Sequence, residues 1–181
     1  SFTAASLMVD EMVTMAKFML DNKLSLDKLD SSVLNKERQA TSKREFLELS
    51  IRFEKLSNRE IEALSTMTLE NQRLLCFISC LRTYDFIKEF MEEVVLINIQ
   101  LLKYTLDDLD YTVFFNRKAL EYNQIESLSD STKYKVKQVT FKMLEQAGLI
   151  DSVYSRKIII PYLSPQLDDL LSTEDKKHLL Q

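Results

Sequence analysis

Three lysines alternate along the start of one candidate helix, and they carry the clearest chemical signal in the sequence. Lys133, Lys135 and Lys137 lie in the stretch 128–150, LSDSTKYKVKQVTFKMLEQAGLI. Cations near the amino end of a helix oppose its dipole, and like charges one turn apart repel, each effect costing on the order of a few tenths of a kcal/mol. A phosphate backbone approaching this end reverses both effects, because the free backbone N–H groups and the lysines then face an anion. These residues therefore predict noncovalent phosphate binding.

The sequence around these lysines predicts where the helix begins, where it ends and which side is buried. Ser129, Asp130 or Ser131 can cap its amino end, and Gly148 is placed for the left-handed position after the last turn. We expect an inward face made of Val136, Val139, Met143 and Ala147, with Leu144 at its margin. We expect an outward side made of Tyr134, Lys135, Gln138, Phe141 and Lys142, with Lys137 at the edge.

A small β-hairpin is predicted directly after this helix. Residues 150–165, IDSVYSRKIIIPYLSP, contain strand-forming side chains on both sides of a Ser-Arg-Lys turn, and Pro161 closes the run. The predicted order is helix, turn, basic helix and then a hairpin with Arg156 and Lys157 near its tip. This is the order of a winged helix-turn-helix, in which the second helix enters a major groove. The alternative is a lysine-rich solvated face on a winged domain that only packs or binds protein.

A second basic region lies nearer the amino end. Residues 36–59 carry seven basic and four acidic side chains, and residues 129–161 carry six and three, although the whole chain has a net charge of −4. We expect a short helix over about 26–34, a polar turn and a longer helix from Thr41 or Ser42, which together predict a helix-turn-helix. On the longer helix, the side chains expected to face solvent are Arg44, Glu48, Arg52 and Lys55. Local field steers an anionic partner more than total charge does, so both regions are candidates for nucleic-acid contact.

The candidate DNA-binding residues come from these two regions. They are Lys43, Arg44, Arg52, Ser131, Thr132, Lys133, Tyr134, Lys135, Lys137, Gln138, Arg156 and Lys157. No catalytic residue, metal ligand or cofactor is predicted. The single histidine, His178, lies in a terminal segment that we expect to fray, and one glycine in the whole chain excludes a glycine-rich phosphate loop.

Composition predicts a mainly α-helical bundle, because one glycine and two prolines in 181 residues leave little material for tight hairpins or large sheets. We expect a helix-turn-helix-like module over 1–57, a central helical core over 58–104, a winged-helix-like module over 105–168 and a tail over 169–181. The aspartates at 107, 108 and 110 are expected at a helix start, with divalent-cation binding as the alternative.

The expected location is the cytoplasm. The longest apolar run, residues 94–102, is far shorter than the roughly 20 residues that a membrane-spanning helix needs, and no signal peptide is recognisable. Cys76 and Cys80 lie one helical turn apart in an apolar stretch, and we interpret them as reduced core thiols of an intracellular protein.

Several stretches resemble the BrxA family of BREX bacteriophage-defence systems. The most specific part covers residues 129–167, and the resemblance extends over nearly the whole chain. The stretches that carry it are SDSTKYKVKQVTFKMLEQAGLID, RKIIIPYLSPQL, SFTAASLMVDEMVTMAKFMLDN, TSKREFLELSIRFEKLS and LCFISCLRTYDFIKEFMEEVV. The resemblance implies a small, mainly helical, non-enzymatic protein that binds double-stranded DNA beside the methyltransferase, ATPase and phosphatase-like components of the same system.

Three functional hypotheses follow from the residues and the resemblance together. The favoured one is a DNA-binding accessory protein that has other BREX components as partners and contacts duplexes mainly through phosphates, with no membrane or small-molecule substrate involved. The second is a protein-protein adaptor whose winged module docks a larger defence component. The third is an RNA-binding helical protein of the antitermination type, and enzymatic activity is the least favoured class.

Overall fold

Helices dominate the structure, a computed structural model that describes residue 3 and residues 6–181. The α-helices are α1 (Val9–Asp21), α2 (Gln39–Phe53), α3 (Asn58–Thr66), α4 (Leu69–Thr83), α5 (Asp85–Phe90), α6 (Leu96–Gln100), α7 (Asp108–Glu121), α8 (Asn123–Glu126), α9 (Asp130–Ala147), α10 (Pro165–Leu170) and α11 (Thr173–His178). A π-helical segment, Met91–Val95, joins α5 to α6. The prediction of a mainly helical protein is confirmed.

Helix α4 lies at the centre of the protein. Every side chain from Leu74 to Leu81 is buried, and the helix packs against α1, α2, α3, α5 and α9. Cys76 and Cys80 are fully buried in this stretch as free thiols, and burial raises the pKa of both. Helices from the first part of the chain and the basic helix α9 therefore share a common packing partner.

One continuous hydrophobic cluster extends from Leu7 to Leu180. It includes residues from each of the four predicted parts of the chain, so the parts share a core. Their boundaries stay a prediction. Residues 1, 2, 4 and 5, which belong to the predicted first module, lie outside the described residues.

Local capping chemistry explains several helix boundaries. Ser57 and Glu60 form a capping box at the start of α3, and Asp107 and Asp110 form another at the start of α7. Gly148 ends α9 at φ 79°, in the left-handed region that a glycine adopts without steric cost. The predicted aspartate-rich helix start and the predicted glycine stop are both confirmed.

The predicted short helix near residues 26–34 is wrong in detail. The chain there forms two 3-10 turns, Leu26–Lys28 and Ser31–Leu34. Asp30 begins the second turn by accepting a hydrogen bond from the backbone N–H of Ser32, and Asn35 ends it in a left-handed conformation. The extended backbone at Leu29 and Asp30, between the two turns, therefore prevents a continuous helix in this stretch.

The predicted β-hairpin is not formed as a pair of strands. The part of the chain that the structure describes has two isolated antiparallel bridges instead, between Ile150 and Ile158 and between Thr105 and Lys157. The Asp151 carboxylate accepts hydrogen bonds from the backbone N–H groups of Ser152 and Lys157, so a side chain closes the turn. Pro161, which has no backbone N–H group, follows soon after and limits any longer ladder.

The expectation that the C-terminal segment frays is wrong. Helix α11 packs onto the protein, His178 is 4% exposed and Leu179 is completely buried. The Nε2 atom of His178 lies 2.8 Å from Oε1 of Glu92. Apolar burial of this segment therefore outweighs the usual loss of order at a chain end.

None of the helices in residues 6–181 combines the length and the apolar character required to cross a bilayer.

Candidate nucleic-acid interface

Helix α9 presents one face to the core and one to solvent, largely as its periodicity predicts. Val136, Met143 and Ala147 are buried against the core, and α4 is the main helix on which α9 packs. On the other side, the exposed candidates are Ser131, Tyr134, Lys135 and Gln138. The packing of α9 on α4 therefore fixes which side of the basic helix faces solvent.

The amino end of α9 carries a group of hydroxyl side chains. The Ser129 hydroxyl accepts a hydrogen bond from the backbone N–H of Thr132 at 3.3 Å, and the hydroxyls of Ser131 and Thr132 lie 3.1 and 2.8 Å from it. Lys133 and Lys135 follow directly, and within the described residues neither forms an ion pair. Their ammonium groups are available to an external anion.

Lys137 and Arg156 differ from these lysines because one carboxylate binds both of them. The Oδ1 atom of Asp108 lies 2.8 Å from Nζ of Lys137 and 2.6 Å from Nη1 of Arg156. The hydrogen bond from Lys137, together with the one from Arg156, lowers the pKa of Asp108 from 3.8 to about 2. The carboxylate is therefore ionised at neutral pH and joins α7, α9 and the turn at residues 151–157.

Aromatic rings also hold these two cations. The Arg156 guanidinium lies 3.8 Å from the centroid of Phe141, and Lys137 Nζ lies 5.8 Å from the centroid of Tyr111. The prediction that Phe141 points outward is wrong, since its side chain is 1% exposed. Its ring packs against Phe90 and Tyr111, with centroid separations of 5.9 and 5.6 Å, and Arg156 covers the remaining side.

The turn at residues 151–157 places polar and aromatic groups at the surface. Ser155 donates a hydrogen bond to Asp151, and Arg156 adopts a left-handed backbone conformation with φ 52°. Lys157 is exposed, and Tyr154 at the tip of the turn is 92% exposed. Tyr154 was not among the residues predicted to bind DNA, although it is close in the sequence to Arg156 and Lys157.

Arg52 does not lie on this surface, and the expectation that its side chain faces solvent is wrong. Its side chain is fully buried, donating from Nη1 to the carbonyls of Ser6 at 2.7 Å and Leu7 at 3.1 Å. Its Nε donates to the hydroxyl of Tyr84 at 3.0 Å, and that hydroxyl donates to Glu48. The chain preceding α1 and the end of α4 cover this side of α2, which was expected to face solvent.

Lys43 and Arg44 are exposed on the first half of α2. In the described part of the chain, no hydrogen bond or ion pair connects them to α9 or to the turn at 151–157. Helix α2 packs on α4 and on the 3-10 turn Ser31–Leu34, and α9 also packs on α4. The structure thus brings together Lys137, Arg156 and the neighbouring turn, and among the described residues no hydrogen bond or ion pair links them to the first basic region.

Asp108 is the residue of this site that sequence analysis missed. The aspartates at 107, 108 and 110 were assigned to a helix start, which is correct, because Asp107 is the N-cap of α7 and Asp108 and Asp110 lie in its first turn. The Asp108 carboxylate takes no part in the capping box and instead binds cations far along the chain. No spacing rule connects residues so far apart, so only the tertiary structure identifies the contact.

A second group of polar side chains lies near the C-terminus. Glu92, Glu174 and His178 place one possible ligand atom each within 4.8 Å of one another. His178 already pairs with Glu92, and Lys88 lies 3.8 Å from Glu174. We interpret these two pairs as contacts that anchor α11.

Comparison with known proteins identifies the family. The family model described as BrxA matches residues 1–175. This chain belongs to the BrxA family. A curated relative of the chain, "BREX protein BrxA" from Bacillus cereus (strain H3081.97), is 30% identical over 82 residues. That alignment spans 45% of this BrxA-family chain and 41% of the relative.

A solved structure has the same fold as this BrxA-family protein. It is described as the crystal structure of an uncharacterized protein from Magnetospirillum magneticum, with a TM-score of 0.79 and 12% sequence identity. The superposition covers 99% of this chain and 94% of the other. At this identity the likeness establishes the fold alone.

Proposed function

We propose that this BrxA-family protein is a non-enzymatic, cytoplasmic accessory protein of a BREX phage-defence system that binds duplex DNA mainly through its phosphates. The observation that carries the proposal is the exposed amino-terminal half of α9. Lys133 and Lys135 there have no ion-pair partner among the described residues, and hydroxyl groups flank them. Unpaired cations beside a helix amino end are suited to a phosphate backbone.

The arrangement around α9 supports contact with a duplex. Extended backbone at residues 149–151 bonds to residues 157–159, where the N–H of Ile159 donates to the Leu149 carbonyl at 2.9 Å. Residues 104–106 bond to the same segment from the other side. We interpret α7 to α9 followed by this turn as a winged helix-turn-helix with a much shortened wing, in which α9 enters a major groove and Lys157 contacts the backbone.

The partners in this proposal are double-stranded DNA and other BREX components. The family assignment and the printed name of the Bacillus cereus relative support the second class. Affinity is expected mainly from phosphate contacts, with little base selectivity. No small-molecule substrate and no membrane belongs to this function.

A protein-protein adaptor is the second candidate, favoured by the exposed apolar side of α7. Leu109, Val113 and Leu120 are 68%, 55% and 86% exposed, and they recur at helical spacing. Exposed apolar patches of this kind often mark protein interaction sites. Co-purification of a defence component that survives nuclease and high salt, without any duplex binding by the purified protein, would favour the adaptor.

The test of DNA binding is the salt dependence of affinity for a short duplex. The logarithm of the association constant should fall linearly with the logarithm of salt concentration, by about 0.9 per phosphate contacted. A Lys133→Ala/Lys135→Ala double variant should reduce that slope by as much as about 1.8. The matched control is Lys17→Ala/Lys28→Ala, which removes two exposed lysines near the amino end of the chain.

Two results would contradict the proposal. One is an absence of duplex binding in dilute buffer by the folded wild-type protein. The other is a double variant of Lys133 and Lys135 that keeps the wild-type slope. Competition with structured RNA completes the test, because RNA that displaces the duplex at much lower concentration would support the RNA-binding alternative instead.

A further inference from the structure

The contact between Asp108, Lys137 and Arg156 is unusual because two cations from different elements bind a single carboxylate oxygen. Oδ1 of Asp108 receives both, at 2.8 and 2.6 Å. The Asp108 side chain is 71% exposed, whereas those of Lys137 and Arg156 are 29% and 17% exposed. The carboxylate therefore lies on the solvent side of two partly buried cations, where an external anion would approach them.

The two cations are positioned by the core as well as by Asp108. Arg156 stacks on Phe141 and donates from Nε to the carbonyl of Val153 at 2.9 Å, and Lys137 lies over the ring of Tyr111. None of these contacts involves the Asp108 carboxylate. Lys137 and Arg156 thus form a site whose geometry suits one anionic oxygen, since N⁺–H···O⁻ distances of about 2.7–2.9 Å are equally typical of carboxylate and phosphate acceptors.

We propose that Lys137 and Arg156 form a binding site for one backbone phosphate of duplex DNA, and that Asp108 occupies this site in the free protein as a built-in competitor. The inference rests on the proposed function and deepens it. On binding, a phosphate oxygen replaces Oδ1 of Asp108, and the carboxylate rotates into solvent. An exposed carboxylate is readily rehydrated, so the displacement needs no rearrangement of the core.

This exchange lowers affinity for all duplexes to a similar extent, because the phosphate must first displace an attached anion. In the free protein, the Asp108 carboxylate also neutralises part of the positive charge of Lys137 and Arg156, so the surface around them is less positive than its number of cations indicates. Weak nonspecific contacts, which are dominated by phosphates, are then reduced.

The test compares full-length wild-type protein with Asp108→Asn by measuring duplex affinity at several salt concentrations. Asparagine keeps the size of the side chain and removes its charge, and the capping box of α7 is kept because Asp107 and Asp110 form it. The matched control is Asp10→Asn, which removes one exposed carboxylate from the first turn of α1. A cooperative thermal transition well above the assay temperature, observed for each of the three proteins, establishes that all are folded.

We expect Asp108→Asn to bind the duplex about three- to tenfold more tightly than wild type, the gain expected from releasing two surface ion pairs. The control should change affinity much less. In the Asp108→Asn background, a further Lys137→Ala change should abolish the gain, because it removes one of the two cations that the phosphate would use.

The outcomes distinguish this inference from the proposed function. If wild-type protein binds the duplex but Asp108→Asn binds equally or more weakly, the competitor role is wrong and the proposed function survives. A gain that matches that of Asp10→Asn also overturns the inference, because it would reflect net charge alone. If no protein in the set binds a duplex, the proposed function fails, and the phosphate site fails with it.

Discussion

A substitution of Arg52 tests whether a predicted DNA-binding cation instead stabilises the folded protein. The helical period predicts that Arg52 lies on the outer side of α2, yet its side chain is completely buried in the structure. Replacing Arg52 with methionine keeps most of the apolar volume and removes the guanidinium. We expect this change to lower the free energy of unfolding substantially and to leave the duplex affinity of the folded protein unchanged.

The size of the effect follows from the groups that lose a donor. The carbonyls of Ser6 and Leu7 and the hydroxyl of Tyr84 all accept from Arg52, and Glu48 in turn accepts from Tyr84. Removing one partner of a buried charge network costs about 3–5 kcal/mol. A domain of ordinary stability has about 5–15 kcal/mol in total, so Arg52→Met should remain folded but be clearly weakened.

The measurement is urea unfolding followed by circular dichroism, with thermal unfolding as a second readout. For a chain of this size, each kcal/mol corresponds to about 2–4 °C in the midpoint, so a fall of roughly 10 °C is expected. Arg44→Met is the matched control, because Arg44 is exposed on the same helix and surface changes usually stay within about 0.5 kcal/mol. Equal stability of the two variants, or a selective loss of DNA affinity in Arg52→Met, would refute this reasoning.

Three further predictions address the C-terminus, the Asp108 contact and the core thiols. Leu179→Ala should lower the free energy of unfolding by about 2–5 kcal/mol in urea titration, because Leu179 is completely buried; a change below about 0.5 kcal/mol would mean that the segment does not pack. Carbon NMR should show the Asp108 carboxyl titrating near pH 2, and Lys137→Ala should raise this pKa toward 3.8. Because the pKa is lower in the folded protein than in the unfolded chain, the Asp108 contact stabilises the fold fully above pH 3.8. That stabilisation is lost as the pH falls through about 2. Cys76 and Cys80 should react with a thiol reagent far more slowly in native protein than in urea, because burial raises the pKa of both thiols; equal rates would contradict their core position.

Local features were predictable from sequence because they depend on neighbours within a few residues. The period of apolar side chains identified α9, and its boundaries followed from a serine cap and from Gly148, which reaches a left-handed φ without a side-chain clash. The aspartate-rich start of α7 followed from the same capping chemistry. The exposure of Tyr134 and Lys135 could likewise be predicted from the helical period alone.

Sheet pairing and side-chain burial were less predictable. Strand-forming residues near Ile158 predicted a hairpin, yet whether a ladder extends depends on the turn closure by Asp151 and on the segment's second neighbour at Thr105. Phe141 lies on the side of α9 that its own helix would leave exposed. It is buried because Tyr111 and Arg156, from other elements, cover that side.

By itself, the sequence determined a helical protein with a basic, well-capped helix near its C-terminal end, since capping and periodicity are properties of short segments. The tertiary structure alone decided which of the cations are free. It buried Arg52 among carbonyls from the chain before α1, and it brought Asp108 to Lys137 and Arg156. The reason is physical: whether a charge is solvated, buried or paired depends on groups that only folding brings within a few ångströms of it.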